Sequence, residues 1–173
     1  MTTAELDHLT GLLRDCLTEP WRAAFAATPR ELFIPDQALW VHDGDVQTPI
    51  DRASDPQMWR SAVYSNESIV TQFDDGTAGG DGDATSSSSM PLVMALMLHQ
   101  LDARPGHAVL EIGTGTGYNA ALLAHRVGPR NVTTIEVDPV IARQARVNLA
   151  AADRPVTVIT GDGAYGHPPG APY

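Results

Sequence analysis

Residues 108–118 read AVLEIGTGTGY, and they restrict the possible folds more tightly than any other stretch of the chain. Ala108, Val109 and Leu110 lead through Glu111-Ile112 into Gly113, Thr114, Gly115, Thr116 and Gly117. A short apolar run that stops at glycines reads as a buried parallel strand. The Ala- and Leu-rich stretch from Asn119 to Val127 reads as a helix. Strand, glycine turn and helix together open a nucleotide-binding βα unit. The glycines let the backbone turn tightly, in places at φ > 0, and let a ligand approach where a Cβ would collide.

The next segments extend that unit. Asn131 to Val137 (NVTTIEV) is a β-branched strand carrying Glu136 near its end. Asp138 is the expected N-cap and Pro139 the first position of a helix that runs to about Ala151, with Ile141, Ala145 and Leu149 on one face. VTVIT, from Val156 to Thr160, is a third strand, ending in Gly161-Asp162-Gly163. The expectation is an α/β fold with β-α-β-α-β order. Carboxylates then wait at the carboxyl ends of successive strands, the edge where ligands of open α/β sheets bind.

The turn also restricts the ligand. A dinucleotide fingerprint is G-x-G-x-x-G, whereas the spacing here is G-x-G-x-G, with bulky Tyr118 where that pattern has its last glycine. Glu111, two positions before Gly113, puts negative charge beside the loop. It would repel a pyrophosphate and orient a cation. S-adenosyl-L-methionine carries a sulfonium and an ammonium and no phosphate, so it fits better than NAD. Glu136 would accept from both ribose hydroxyls and Asp162 from the adenine amino group, with Gly113, Thr114, Gly115, Gly117 and Gly163 shaping the two turns. An NAD-dependent oxidoreductase is the competing reading.

With 173 residues the chain is long enough for one substantial core. Its formal net charge of −10 argues against a nucleic-acid partner, which needs a basic face. Cys16 is alone, so no intrachain disulfide can form; a buried thiol in a reducing compartment is expected. No run of 18 apolar residues and no signal-like N-terminus is present, which reads as cytoplasmic and without a membrane partner.

Upstream, residues 2–18 read as an amphipathic helix with a Thr2–Glu5 capping box and Leu6, Leu9, Leu13 and Leu17 in register. Pro20 is expected to close it, and Trp21 to Ala27 to form a second short helix. Residues 36–65 carry no clear periodicity; Trp40, Trp59 and Tyr64 read as packing residues. Ile69 to Phe73 suggests a short strand. The stretch DDGTAGGDGDATSSSS (74–89) reads in its first half as a solvated loop; its Asp74, Asp75, Asp81 and Asp83 lack EF-hand spacing. Ser89 is the expected N-cap of an apolar helix from Pro91 to Leu101, with Met94, Met97 and Leu101 in the core. The six histidines are scattered, and no metal site is expected.

Four blocks resemble the protein-L-isoaspartate O-methyltransferase family. TPRELFIP is similar to its V-P-R-x-x-F-V-P segment, SSSSMPLVMALML to T-I-S-Q-P-x-x-x-A-x-M, VLEIGTGTGYNAALLA to V-L-E-I-G-T-G-S-G-Y-x-A-A-x-L-A, and GDGAYGHPPGAPY to G-D-G-x-x-G-x-x-x-x-A-P-Y. The resemblance implies a Rossmann-like class I methyltransferase that esterifies an isoaspartyl or aspartyl carboxylate of a peptide or protein, releasing S-adenosyl-L-homocysteine. It places Ser87 and Ser89 at the family's active-site hydroxyl positions and Ser88 where the family has Ile. Positioning should dominate such chemistry, because the sulfonium is already activated and the carboxylate is already a nucleophile.

Val63-Tyr64-Ser65-Asn66 stands in place of the family's A-Y-x-D, and the 74–85 loop is longer than usual. These features resemble actinobacterial homologues that modify Asp carboxylates of ribosomally made peptides. The family's sheet has seven strands and three are expected here. The resemblance therefore implies truncation after the third strand, with a homo-oligomer covering the open sheet edge, or a non-catalytic fragment binding a ligand or partner chain. The expected division is 1–106, a helical substrate-side segment with a mobile loop at 74–88, and 107–173, the first half of the cofactor-binding domain.

Overall fold

The computed structural model describes residues 3–13, 17–44, 46–78 and 82–173. Helices α1 (Thr3–Leu12) and α2 (Glu19–Ala26) lead into strands β1 (Gln37–His42) and β2 (Val46–Asp51), helix α3 (Pro56–Val63), and strands β3 (Ser68–Phe73) and β4 (Ala84–Ser88). Helix α4 (Pro91–Leu101) precedes β5 (Val109–Ile112), α5 (Tyr118–Val127), β6 (Val132–Glu136), α6 (Pro139–Ala151) and β7 (Thr157–Thr160). The last three strands form a parallel sheet in the order β5-β6-β7, pairing Glu111 with Thr134 and Thr134 with Val158. The fold is α/β and Rossmann-like, with the strand–turn–helix order expected from 108 onward. None of the described helices is long and apolar enough to cross a membrane.

Local chemistry sets the helix starts. Asp138 caps α6, its Oδ1 accepting from the Val140 and Ile141 amides at 2.6 and 3.2 Å, with Pro139 in the first turn. Asp55 does the same for α3, accepting from the Met58 amide at 2.9 Å ahead of Pro56.

Several expectations are corrected. Pro20 lies in the first turn of α2 rather than closing α1, because a proline at that position loses no helical N–H bond. The unassigned region 36–65 supplies β1, β2 and α3, and with β3 and β4 it builds an antiparallel sheet in the order β2-β1-β3-β4. The loop expected over 74–88 is a strand in its second half: β4 pairs with β3, setting Ser87 against Val70 and Ser88 against Ile69. Backbone ladder bonds do not require apolar side chains, so a polar run can form an edge strand. Asp74 closes the turn before it, accepting from the Gly82 and Asp83 amides at 3.1 Å. Ser89 does not cap α4; Met90 occupies that position and makes no side-chain bond. Met97 and Leu101 are both 52% exposed, so of the three expected core residues of α4 only Met94 is buried. The Thr2–Glu5 capping box, Cys16 and Asp81 lie outside the described residues or side chains.

One core runs through both sheets. Leu9, Leu13, Trp21, Phe25, Phe33, Trp59 and Ile69 join Ala120 to Ala124, Val132 and Leu149 in a single buried cluster. Tyr118, at the start of α5, packs edge-on to Phe25 at 6.2 Å and tilted on Phe33 at 5.4 Å. The first turn of α5 is thereby held against the N-terminal segments.

Candidate active site

The site is built on the turn after β5. The Gly113 and Thr114 amides both donate to the Ile135 carbonyl, at 2.8 and 3.1 Å, so the chain leaves β5 while still tied to β6. Gly113, Gly115 and Gly117 have φ of 85°, 53° and 89°, the left-handed region that disfavours side chains. A Cβ at Gly117 would also crowd the core, standing 3.1 Å from Leu149 Cγ. Gly117→Ala is expected to destabilise the chain by about 2 kcal/mol or more, through backbone strain plus displacement of Leu149. Chemical denaturation measures this as a lowered midpoint at unchanged slope.

Glu111 points into a closed polar network. Its Oε1 accepts from Asn119 Nδ2 at 2.7 Å and its Oε2 from Thr134 Oγ1 at 2.6 Å. Thr134 Oγ1 is in turn 2.7 Å from Thr114 Oγ1. Burial pushes the Glu111 carboxyl up to about 7; the Thr134 and Asn119 donors oppose this, and the nearby Glu136 carboxylate adds to it. Asn119 Oδ1 is buried without a hydrogen-bond partner among the described residues. The Glu111 carboxylate, with lone pairs left beside its two donors, and the orphaned Asn119 oxygen are both acceptors, a set that suits a cationic group and not a phosphate.

Glu111 and Asn119 face one cavity of about 300 Å³, whose walls also include Ser87, Ser88, Ser89, Gly113, Thr114, Gly115 and Thr116. The structure therefore brings together Ser87, Ser89, Glu111, Gly113, Thr114 and Gly115. Glu136 sits at the tip of β6, 7% exposed, its Oε2 accepting from the Gly115 amide at 2.9 Å and its Oε1 from the Asp138 amide at 3.1 Å. Asp162 is exposed and its Oδ1 accepts from the Ala164 amide at 2.9 Å, capping a short 3-10 turn. Gly163 passes so close to Ile112 that a Cβ would overlap its side chain. Neither Glu136 nor Asp162, Gly117 or Gly163 lines the cavity.

A larger cleft of about 620 Å³ lies on the far side of Gly115 and Thr116, between residues 31–36, β3 and α6. Sequence reading missed Thr134 and Asn119. Thr134 becomes visible only through the β5–β6 register, and Asn119 only through the glycine turn that brings the start of α5 back against Glu111, eight residues earlier.

An open α/β sheet with an alternating-glycine turn and acceptor groups at its strand tips defines a Rossmann-like cofactor-binding fold. A family model for protein-L-isoaspartate (D-aspartate) O-methyltransferase matches residues 17–173, and the chain belongs to that family. The protein-L-isoaspartate O-methyltransferase of Ignicoccus hospitalis is 36% identical over 152 residues, covering 87% of this chain and 57% of that protein. The enzyme of that name from Methanopyrus kandleri is 50% identical over 88 residues, 49% of this chain and 39% of the relative. A solved protein-L-isoaspartate O-methyltransferase superposes with a TM-score of 0.73 at 30% identity, covering 97% of this chain and 45% of its own. A second, titled a putative family member from Plasmodium falciparum in complex with S-adenosyl-L-homocysteine, has a TM-score of 0.53 at 15% identity, a likeness of fold alone. The chain spans a little over half the length of the first of these relatives.

Proposed function

We propose that the protein is an S-adenosyl-L-methionine-dependent carboxyl O-methyltransferase acting on isoaspartyl or aspartyl groups of a peptide or protein. The observation that carries this reading is the shared cavity, with serine hydroxyls on one wall and a buried carboxylate–amide acceptor pair on the other. S-adenosyl-L-methionine, when bound, supplies an electrophilic methyl group on a cationic sulfur. Glu111 and Asn119 would take its ammonium, and Glu136, at the tip of β6, its ribose hydroxyls. Asp162 and Gly163, on the β7 turn, would bound the adenine.

The acceptor carboxylate needs no base to make it a nucleophile, so the chain has only to hold it in line with the methyl group. Ser87 and Ser89 would do this by donating to the carboxylate oxygen that does not attack. As the new oxygen–carbon bond forms, the carbon–sulfur bond breaks and its electron pair stays on sulfur, giving the methyl ester and S-adenosyl-L-homocysteine. The acidic chain with its lone cysteine goes with a cytoplasmic setting, and a homo-oligomer would cover the open β5 edge.

The deciding experiment incubates the protein with methyl-labelled S-adenosyl-L-methionine and an isoaspartyl peptide. Base-labile label on the peptide is expected, and Ser89→Ala should lower it by about tenfold or more, the usual scale for losing a positioning hydrogen bond to a charged group. Label on an aspartyl precursor peptide alone would replace repair with peptide tailoring. Binding of NADH without binding of S-adenosyl-L-homocysteine would end the methyl-transfer reading.

A further inference from the structure

Arg30 is wholly buried and has no carboxylate partner among the described residues. Burial draws its guanidinium down only to about 10, so it carries its charge at neutral pH. That charge is dispersed over six neutral acceptors from two distant segments. Nε donates to Ser88 Oγ at 3.2 Å; Nη1 donates to the Val63 and Ser65 carbonyls at 3.1 and 3.4 Å. Nη2 donates to the carbonyls of Glu67, Ser88 and Ser89, each at 3.1 Å. The planar fork of donors is thus saturated by five backbone oxygens and one hydroxyl, which only a tightly defined chain path can supply.

The consequence falls on the serine run. Successive side chains of an extended segment point to opposite faces. With the Ser88 hydroxyl and carbonyl both drawn inward to Arg30, Ser88 is 4% exposed while Ser87 and Ser89 are exposed. All three line the cavity with Gly115, Ser87 and Ser89 as exposed residues and Ser88 with its hydroxyl held by Arg30. A slip of one residue would bury Ser87 and Ser89 and present Ser88 instead.

We infer that Arg30 is a positioning residue: it fixes the register of residues 87–89 so that the Ser88 hydroxyl is engaged by the guanidinium while Ser87 and Ser89 stay exposed at the cavity. Arg30 touches no reacting atom. The kinetic part of the inference rests on the methyl-transfer reading above; the conformational part does not.

Arg30→Lys keeps the charge but loses the fork. Amide hydrogen exchange is expected to speed up by about tenfold or more at residues 64–67 and 86–90, while the β5–α5 turn keeps wild-type protection. Affinity for S-adenosyl-L-homocysteine should stay within about threefold of wild type, and kcat for methyl transfer should fall by about a hundredfold, the scale of a small misplacement of positioning groups. Should Arg30→Lys unfold, Ser88→Ala, which deletes only the Nε acceptor, is read in the same way and should show the same pattern at about one-tenth the size. Unchanged exchange at 86–90 in the folded variant overturns the inference. So does a kcat loss matched by an equal loss of protection throughout the chain. If wild type transfers no methyl but the exchange pattern appears, the methyl-transfer reading fails and the anchoring role of Arg30 stands.

Discussion

S-adenosyl-L-homocysteine is expected to bind about tenfold more weakly at pH 6 than at pH 8, and Glu111→Gln should lose that dependence along with most of the affinity. The Glu111 carboxyl is raised to about 7, chiefly by burial, and an ammonium beside it is held well only by the ionised form. Below that value each bound ligand must first displace a proton. Isothermal titration across the pH range, in two buffers of different ionisation enthalpy, gives both the affinity and the proton released. The ligand-free chain should respond in the opposite sense. A carboxyl whose folded-state value lies above its unfolded one favours folding while protonated, so stability is greatest below the ordinary glutamate range. It then declines as pH rises towards about 7 and is flat beyond. Glu111→Gln keeps the shape and removes the ionisation. It should therefore melt higher than wild type at pH 8 and no higher at pH 4. A variant that binds less and melts higher would mark a charge retained for the ligand at the expense of the fold.

Trp59→Ala should have the largest effect on stability. Trp59 is 0% exposed, its Nε1 donates to the Pro35 carbonyl at 2.9 Å, and the Arg52 guanidinium lies 4.7 Å from its ring centre. Truncation would open a cavity beneath the 30–35 segment and leave the Pro35 carbonyl without its donor. The expected loss is about 3–5 kcal/mol, which for a chain of this size lowers the melting temperature by roughly 10 °C. Trp59→Phe, which keeps most of the volume and loses only the N–H, separates the two contributions and should cost about 1–2 kcal/mol. Differential scanning calorimetry of the three proteins at one pH checks both numbers.

The parallel half was legible because each of its elements announces itself locally. Val109 to Ile112 and Val132 to Glu136 are apolar or β-branched runs, Asp138-Pro139 marks a helix start, and Gly113 to Gly117 marks the turn. Of the antiparallel sheet only β3, expected over Ile69 to Phe73, was legible, and the rest was not for the opposite reason. Strand β2 contains Pro49, and β4 is Ala-Thr-Ser-Ser-Ser, with no large apolar side chain. What makes β4 a strand is its partner fifteen or so residues earlier, and a single sequence does not display pairing between positions that far apart. The site divides along the same line. Glu111 and the serine run follow from motif and order, whereas Arg30 gains its meaning only from carbonyls at positions 63–67 and 88–89, and every residue type has a carbonyl.

Gly115 lies at the junction of these parts. Its amide is held by Glu136, while the atom it lacks would sit 3.6 Å from the Ser87 carbonyl oxygen and 3.8 Å from Ser86 Oγ. A single peptide unit thus spaces the tip of the second parallel strand from the hydroxyls opposite, and the same unit separates the two cavities. Gauge and partition are one object. On the proposed reading, a ligand that draws Glu136 towards itself would also move the wall against which the serines rest, so changes at the turn would couple the two sides. Variation in acceptor preference among proteins built this way should therefore collect in the strand carrying the serines and in the loop before it, leaving the glycine untouched.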